Sequence, residues 1–111
     1  MYNLSVYLSH AQRILNETKE NIMNEKTAKL IAKENNLSVS STKITILQNR
    51  FFNGIPAKRH EIKIGNVTCF YETDKGGSAC WQIEQNGIII EPNKGFYKSE
   101  AIFKAVNLQI N

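Results

Sequence analysis

Gly65-Asn66 and Asn86-Gly87 constrain this chain's fold more than any other feature of its sequence. Glycine and asparagine are the residues that most readily take positive φ, which two-residue hairpin loops demand. Each dipeptide therefore marks a point where a strand turns back on itself. Between them, Asp74-Lys75-Gly76-Gly77 supplies a third reversal. The three turns predict an antiparallel β-meander over about 59–91, with strands near 59–64, 67–73, 78–85 and 88–91.

The register of the middle hairpin follows from burial. A two- or four-residue loop would place Trp81 and Ile83 on one face with Lys63, Thr68 and Glu72. A three-residue loop at Asp74-Lys75-Gly76, with Gly76 in a left-handed bulge position, instead gathers Ile62, Ile64, Val67, Cys69, Tyr71, Trp81, Ile83, Ile88 and Ile90 on one side. The other side then holds Glu61, Lys63, Thr68, Phe70, Glu72, Cys80, Gln82, Glu84, Ile89 and Glu91. A slip of one residue would carry a whole apolar set into water, so the second register is expected.

Helices are expected on both sides of the meander. Over about 3–23, Leu4, Leu8, Ala11, Leu15, Thr18 and Ile22 recur at spacings of three and four, with Tyr7 and Ile14 beside them. The stripe suits a helix packed on its own core, and its heptads also suit a homodimer paired through this first helix. A second helix is read at about 25–35, with Ala28, Ile31 and Ala32 inward and Asn35-Asn36 as its stop. The third covers about 99–110, capped by Ser99 with Glu100 in its first turn. It offers Ile102, Phe103, Val106 and Ile110 to the sheet. The expected fold is therefore α+β in one domain, residues 1–111.

Residues 36–52 admit two readings. Thr42-Lys43-Ile44-Thr45-Ile46 alternates and is β-branched, which favours an extra strand at 41–48 followed by a turn region at Asn53-Gly54-Ile55-Pro56. The alternative is a helix-turn-helix-like segment at 27–52, with Ile44, Leu47 and Phe51 inward and Asn49 and Arg50 facing out toward phosphates and bases.

Charge concentrates in the same region. Residues 26–63 carry Lys26, Lys29, Lys33, Lys43, Arg50, Lys58, Arg59 and Lys63 against only Glu34 and Glu61, while the flanks are close to neutral and the chain's formal charge is +4. Such a belt can meet an acidic surface or a phosphate chain. Its expected contact residues are Lys29, Lys33, Lys43, Gln48, Asn49, Arg50, Lys58, Arg59, His60 and Lys63.

Catalytic and metal chemistry find little support. Cys69, Cys80, His10 and His60 match no zinc spacing, and the register separates the two cysteines onto opposite faces, so neither a shared metal nor a disulfide is expected. No nucleophile elbow or phosphate loop is present. The carboxylates Glu61, Glu72, Glu84 and Glu91 read as a solvated face. No cofactor, catalytic residue or metal ligand is assigned, and the chain reads as non-enzymatic. Without a long apolar run or a secretory pattern, no membrane contact and a cytoplasmic location are expected.

From Trp81 onward, with Gly95-Phe96, Ser99-Glu100-Ala101 and Ala105, the chain resembles two families of DNA-binding domain: the plant ethylene-response type and the arm-binding domains of tyrosine integrases. The resemblance implies a three-stranded sheet backed by a helix, with DNA read by Arg and Lys on the open face. Here that face carries four glutamates and Lys63, a departure from the families' pattern. In size and lack of motifs the chain also resembles phage-encoded anti-defence proteins, anti-CRISPRs included, and immunity proteins. The preferred reading is a non-catalytic inhibitor or adaptor whose basic belt docks on a protein, either an acidic surface or a nucleoprotein complex. The alternative is a nucleic-acid-binding regulator.

Overall fold

The computed structural model describes residues 24–110. The helix expected at about 3–23, its self-pairing seam and His10 lie outside the described residues. Within them the fold is α+β: helix α1 (Glu25–Glu34), strands β1 (Lys43–Phe52), β2 (Ile55–Ile64), β3 (Val67–Glu72), β4 (Gln82–Gln85) and β5 (Ile88–Ile90), then helix α2 (Lys98–Asn107). The strands form one antiparallel sheet in the order β1-β2-β3-β4-β5.

Local chemistry sets the ends of α1. The Asn24 side chain accepts the Lys26 N–H at 2.8 Å, satisfying a donor that the first helical turn leaves open. At the other end Asn36 turns left-handed (φ 62°). The Leu37 and Asn36 N–H groups then reach back to the carbonyls of Ala32 (2.9 Å) and Lys33 (3.0 Å). That pair of bonds is a Schellman stop, and asparagine tolerates the conformation it requires.

The segment that admitted two readings is strand, so no recognition helix forms there. It is longer than expected, ten residues against 41–48, and β2 also starts earlier, at Ile55. Asn53 and Gly54 both have positive φ (53° and 79°), which makes this a tight two-residue hairpin. Ile55-Pro56 therefore belongs to the strand. A bulge interrupts the hairpin: pairing runs from Lys43↔Glu61 to Ile46↔Lys58, then resumes three residues out of step at Phe51↔Pro56. Asn49 supplies the left-handed residue in that bulge (φ 62°).

The expected faces are observed, although the loop that sets them is different. Ile62 pairs with Cys69 and Cys69 with Ile83, which puts the apolar set on one side. No three-residue loop forms at Asp74–Gly76. Thr73–Lys75 makes a single 3-10 turn, and the chain runs irregularly to Trp81. Residues 78–81 are outside β4, because Trp81 exchanges both backbone hydrogen bonds with Phe96 (2.9 and 3.0 Å) rather than continuing along β3. Gly95 permits this approach: a Cβ there would stand 2.2 Å from the Ala79 carbonyl oxygen.

Helix α2 covers the apolar face. Ala101, Ile102, Phe103, Ala105 and Val106 are buried against Ile62, Ile64, Val67, Cys69 and Ile83, and α1 adds Ala28, Ile31 and Ala32. The helix begins at Lys98 with Tyr97 as its N-cap, so Ser99 lies inside the first turn. The entry is set by the Glu100 carboxylate, which accepts the Tyr97 N–H at 3.0 Å. Gln109 holds helix and sheet together, donating to the Ile64 and Ala105 carbonyls (2.8 and 2.9 Å) and accepting from the Asn66 N–H (3.1 Å). Ile88 shares the apolar side but is exposed beyond the helix.

Candidate partner-binding surface

The side chains of the basic belt are distributed by strand parity and helix position, and they do not form one patch. Lys43, Arg59 and Lys63 lie on the sheet face away from the helices, with Glu61, Thr68 and Glu72 as ladder neighbours. Lys58 and His60 point to the helix side, in phase with Ile62 and Ile64. Lys29 and Lys33 belong to α1, where Lys29 pairs with Glu25 at 2.7 Å.

The two arginines are held internally. Arg50, in the β1 bulge, forks onto Asp74 (2.6 and 2.8 Å) and reaches Glu72 at 2.8 Å. Arg59 bonds Glu61 (3.0 Å) and Glu72 (3.2 Å), lies 3.8 Å from Glu84, and covers the Phe70 ring with its guanidinium 4.1 Å from the centroid. Partial burial by itself would raise the Glu72 carboxyl, but hydrogen bonds and charge from Arg50, then Arg59, outweigh it and hold the group below its ordinary value. The Asp74 carboxyl is lowered as well, chiefly by its hydrogen bond to Arg50, whose own pKa rises in return. The outer face, expected to be acidic, is therefore charge-compensated: Glu61, Glu72 and Glu84 meet Arg50 or Arg59, which fold back from the belt, while Glu91, expected on that face, lies past the end of β5 and pairs with Lys104 of α2.

What remains available is different in kind. Among the described residues Lys33, Lys43, Lys58 and Lys63 make no ion pair. Gln48 and Asn49 are exposed, but Asn49 is fixed in the bulge rather than presented on a helix. His60 contacts Tyr71, with ring centroids 6.0 Å apart, in a row that continues to Trp81 at 5.8 Å.

Sequence reasoning missed the most conspicuous surface, which is apolar. Ile44, Ile46, Phe51, Phe52 and Ile55 are all about half exposed or more, and all belong to the β1–β2 hairpin. Phe51, Phe52 and Ile55 surround the Asn53-Gly54 turn at the tip. The signal was available: Asn53-Gly54 is the same dipeptide type as Asn86-Gly87, and aromatic residues immediately beside a tight turn cannot reach a core on both faces.

The two cysteines sit in different surroundings. Cys69 is buried and donates to the Ala101 carbonyl at 3.4 Å; desolvation pushes its thiol up to about 12. Cys80 is a free thiol, partly exposed, in a groove with Phe70, Gln82 and Lys94. Among the described residues no three of His, Cys, Asp and Glu converge as a metal-ligand set, and no helix is long and apolar enough to cross a membrane. The chain matches no protein-family model, no curated protein and no solved structure.

Proposed function

We propose that this chain is a small non-catalytic binding protein, an inhibitor or adaptor of the anti-defence or immunity kind, and that it grips a protein partner with the tip of its β1–β2 hairpin. The carrying observation is the exposure of Phe51, Phe52 and Ile55 around one tight turn, with Lys58 three residues beyond Ile55 in β2. Aromatic anchors ringed by polar and basic groups are the usual energetic centre of a protein interface, because large rigid side chains displace water at little entropic cost. The partner that complements this tip presents an apolar pocket with acidic groups at its rim.

The nucleic-acid alternative is weakened by the same geometry. Its strongest phosphate ligands would be Arg50 and Arg59, and both already hold carboxylates of the sheet. The non-catalytic part of the reading is supported by Glu72, whose carboxyl is kept ionised between two arginines and so is poorly suited to donate a proton.

Binding experiments with the wild type and a Phe51→Asp/Phe52→Asp variant test the proposal. Tagged wild-type protein should retain one stoichiometric partner from host lysate, and the variant should lose it with its thermal unfolding unchanged. Retention of that partner by the variant would overturn the tip as the site. If the wild type instead binds duplex DNA with an affinity that falls steeply from low to moderate salt, the regulator reading replaces this one.

A further inference from the structure

The β1–β2 hairpin outruns the rest of the sheet. Pairing between β2 and β3 stops at Arg59↔Glu72, so among the described residues no third strand lies beside Ile55, Pro56 and Ala57. With the β1 residues opposite them they form a two-stranded arm that carries Phe51, Phe52 and Ile55 at its end. A hairpin of two strands standing alone is only marginally stable in water. This one is weakened further at its root, where the ladder breaks and Leu47 to Arg50 face Ala57 alone across the bulge.

Two contacts tie that root to the 3-10 turn at Thr73–Lys75. The Thr73 hydroxyl accepts the Lys58 N–H at 2.9 Å. Arg50 donates through Nε and Nη2 to the two carboxylate oxygens of Asp74 (2.8 and 2.6 Å), and Nη2 also reaches Glu72 at 2.8 Å. Paired bonds between two planar groups fix direction as well as distance. Ala57, inside the bulge, is fully buried. The other charges around the fork are few: Arg59 shares Glu72 and also meets Glu61 and Glu84, and Lys75 adjoins Asp74. Among the described residues Arg50 meets no carboxylate besides Asp74 and Glu72.

We infer that the Arg50–Asp74 fork is a latch, which holds the arm and its tip in one direction relative to the sheet and opens when acid neutralises Asp74 and Glu72. Opened, the arm is a lone hairpin and frays, while the core under α2 persists. Both carboxyls are held below their ordinary values while the fork is made. The latch is therefore closed above the ordinary carboxylate range and opens as pH falls through the lowered values. It stands on the geometry of the bulge and the turn and does not require the partner proposed for the tip. Where that partner binds, the latch governs how Phe51 and Phe52 are presented to it.

Hydrogen exchange on the full chain tests the latch. In Asp74→Asn, which keeps the side chain's shape and removes its charge, amide protection over 47–57 should fall about tenfold or more at neutral pH while residues 99–107 keep theirs. Arg50→Gln should do the same, and the double variant should lose little more than either single one, as a shared contact requires. In the wild type, protection over 47–57, corrected for the intrinsic exchange rate, should fall between about pH 5 and pH 3, ahead of 99–107. In Asp74→Asn the arm should start low and change less. Unchanged protection over 47–57 in Asp74→Asn would overturn the latch. So would a loss shared equally by 99–107, which would make Asp74 a support of the whole fold. A wild-type arm that stays protected until the entire molecule unfolds in acid would overturn it too. None of these results bears on whether Phe51 and Phe52 grip a partner, which the Phe51→Asp/Phe52→Asp variant decides separately.

Discussion

The two faces of the sheet solve the same problem with different materials. On the helix side, Ile62, Ile64, Val67, Cys69 and Ile83 are removed from water by α1 and α2, and the stabilisation is chiefly hydrophobic. On the outer side no helix is present among the described residues. There Arg50 and Arg59 bind four carboxylates, and Arg59 lies over Phe70, which is 8% exposed. One face is closed by packing, the other by guanidinium groups that are apolar on their flat sides and charged at their edges. Basic residues concentrated in sequence need not form one docking surface: Arg50 and Arg59 are spent on the sheet's own carboxylates.

The helix side should be the more sensitive to substitution. Ile62→Ala or Ile83→Ala should cost about 2–5 kcal/mol, because each side chain is fully buried and the hole it leaves cannot collapse under a helix. Urea denaturation measures this. A cost near that of a surface substitution would mean the two faces are equally plastic.

A smaller effect should come from the outer face, and it should depend on pH. Glu72 and Asp74 titrate below their ordinary values of 4.5 and 3.8 when folded, so folding favours their ionised forms. The resulting stability is present above the ordinary carboxylate range and is lost as pH falls through the lowered folded values. The urea midpoint of the wild type should therefore drop between about pH 5 and pH 2. In Arg50→Gln that acid-side slope should be shallower, while the helix-side core variants keep it. Equal slopes in wild type and Arg50→Gln would show that the network does not couple to folding.

The smallest effect is chemical rather than energetic and contrasts the two cysteines, one on each side. Cys80 should react with a thiol reagent first, as a single fast equivalent. Cys69, buried with its thiol pushed up to about 12, should wait for unfolding. Two fast equivalents in the native protein would mean that α2 opens readily.

Much of this was legible in the sequence for a specific physical reason. Parity is strict in a strand, so once Val67, Cys69 and Ile83 had to be buried together, both faces followed, even though the connecting loop was assigned the wrong geometry. The end of α1 was legible because Asn35-Asn36 has few other uses there. The hairpin at Asn53-Gly54 was obscured by Pro56, which suggested a turn region rather than a strand already under way. Ser99 looked like a cap because the cap's work is done by Glu100 reaching back, which residue type at the N-cap does not reveal. The surface was least legible. Net charge along the chain cannot show that Arg50 lies near Asp74, since they are 24 residues apart and meet only because a bulge turns β1 toward the end of β3.

Cover by α2 also fixes an order of events during synthesis. The meander is complete in sequence by Ile90, but the residues that close its apolar face, Ala101 to Val106, emerge from the ribosome after it. A chain that lacks α2 carries Ile62, Ile64, Val67 and Ile83 on a sheet face without that helix, with a free edge at β1. A released chain cut short between residues 91 and 98 is therefore the form of this protein most prone to aggregate or to need a chaperone.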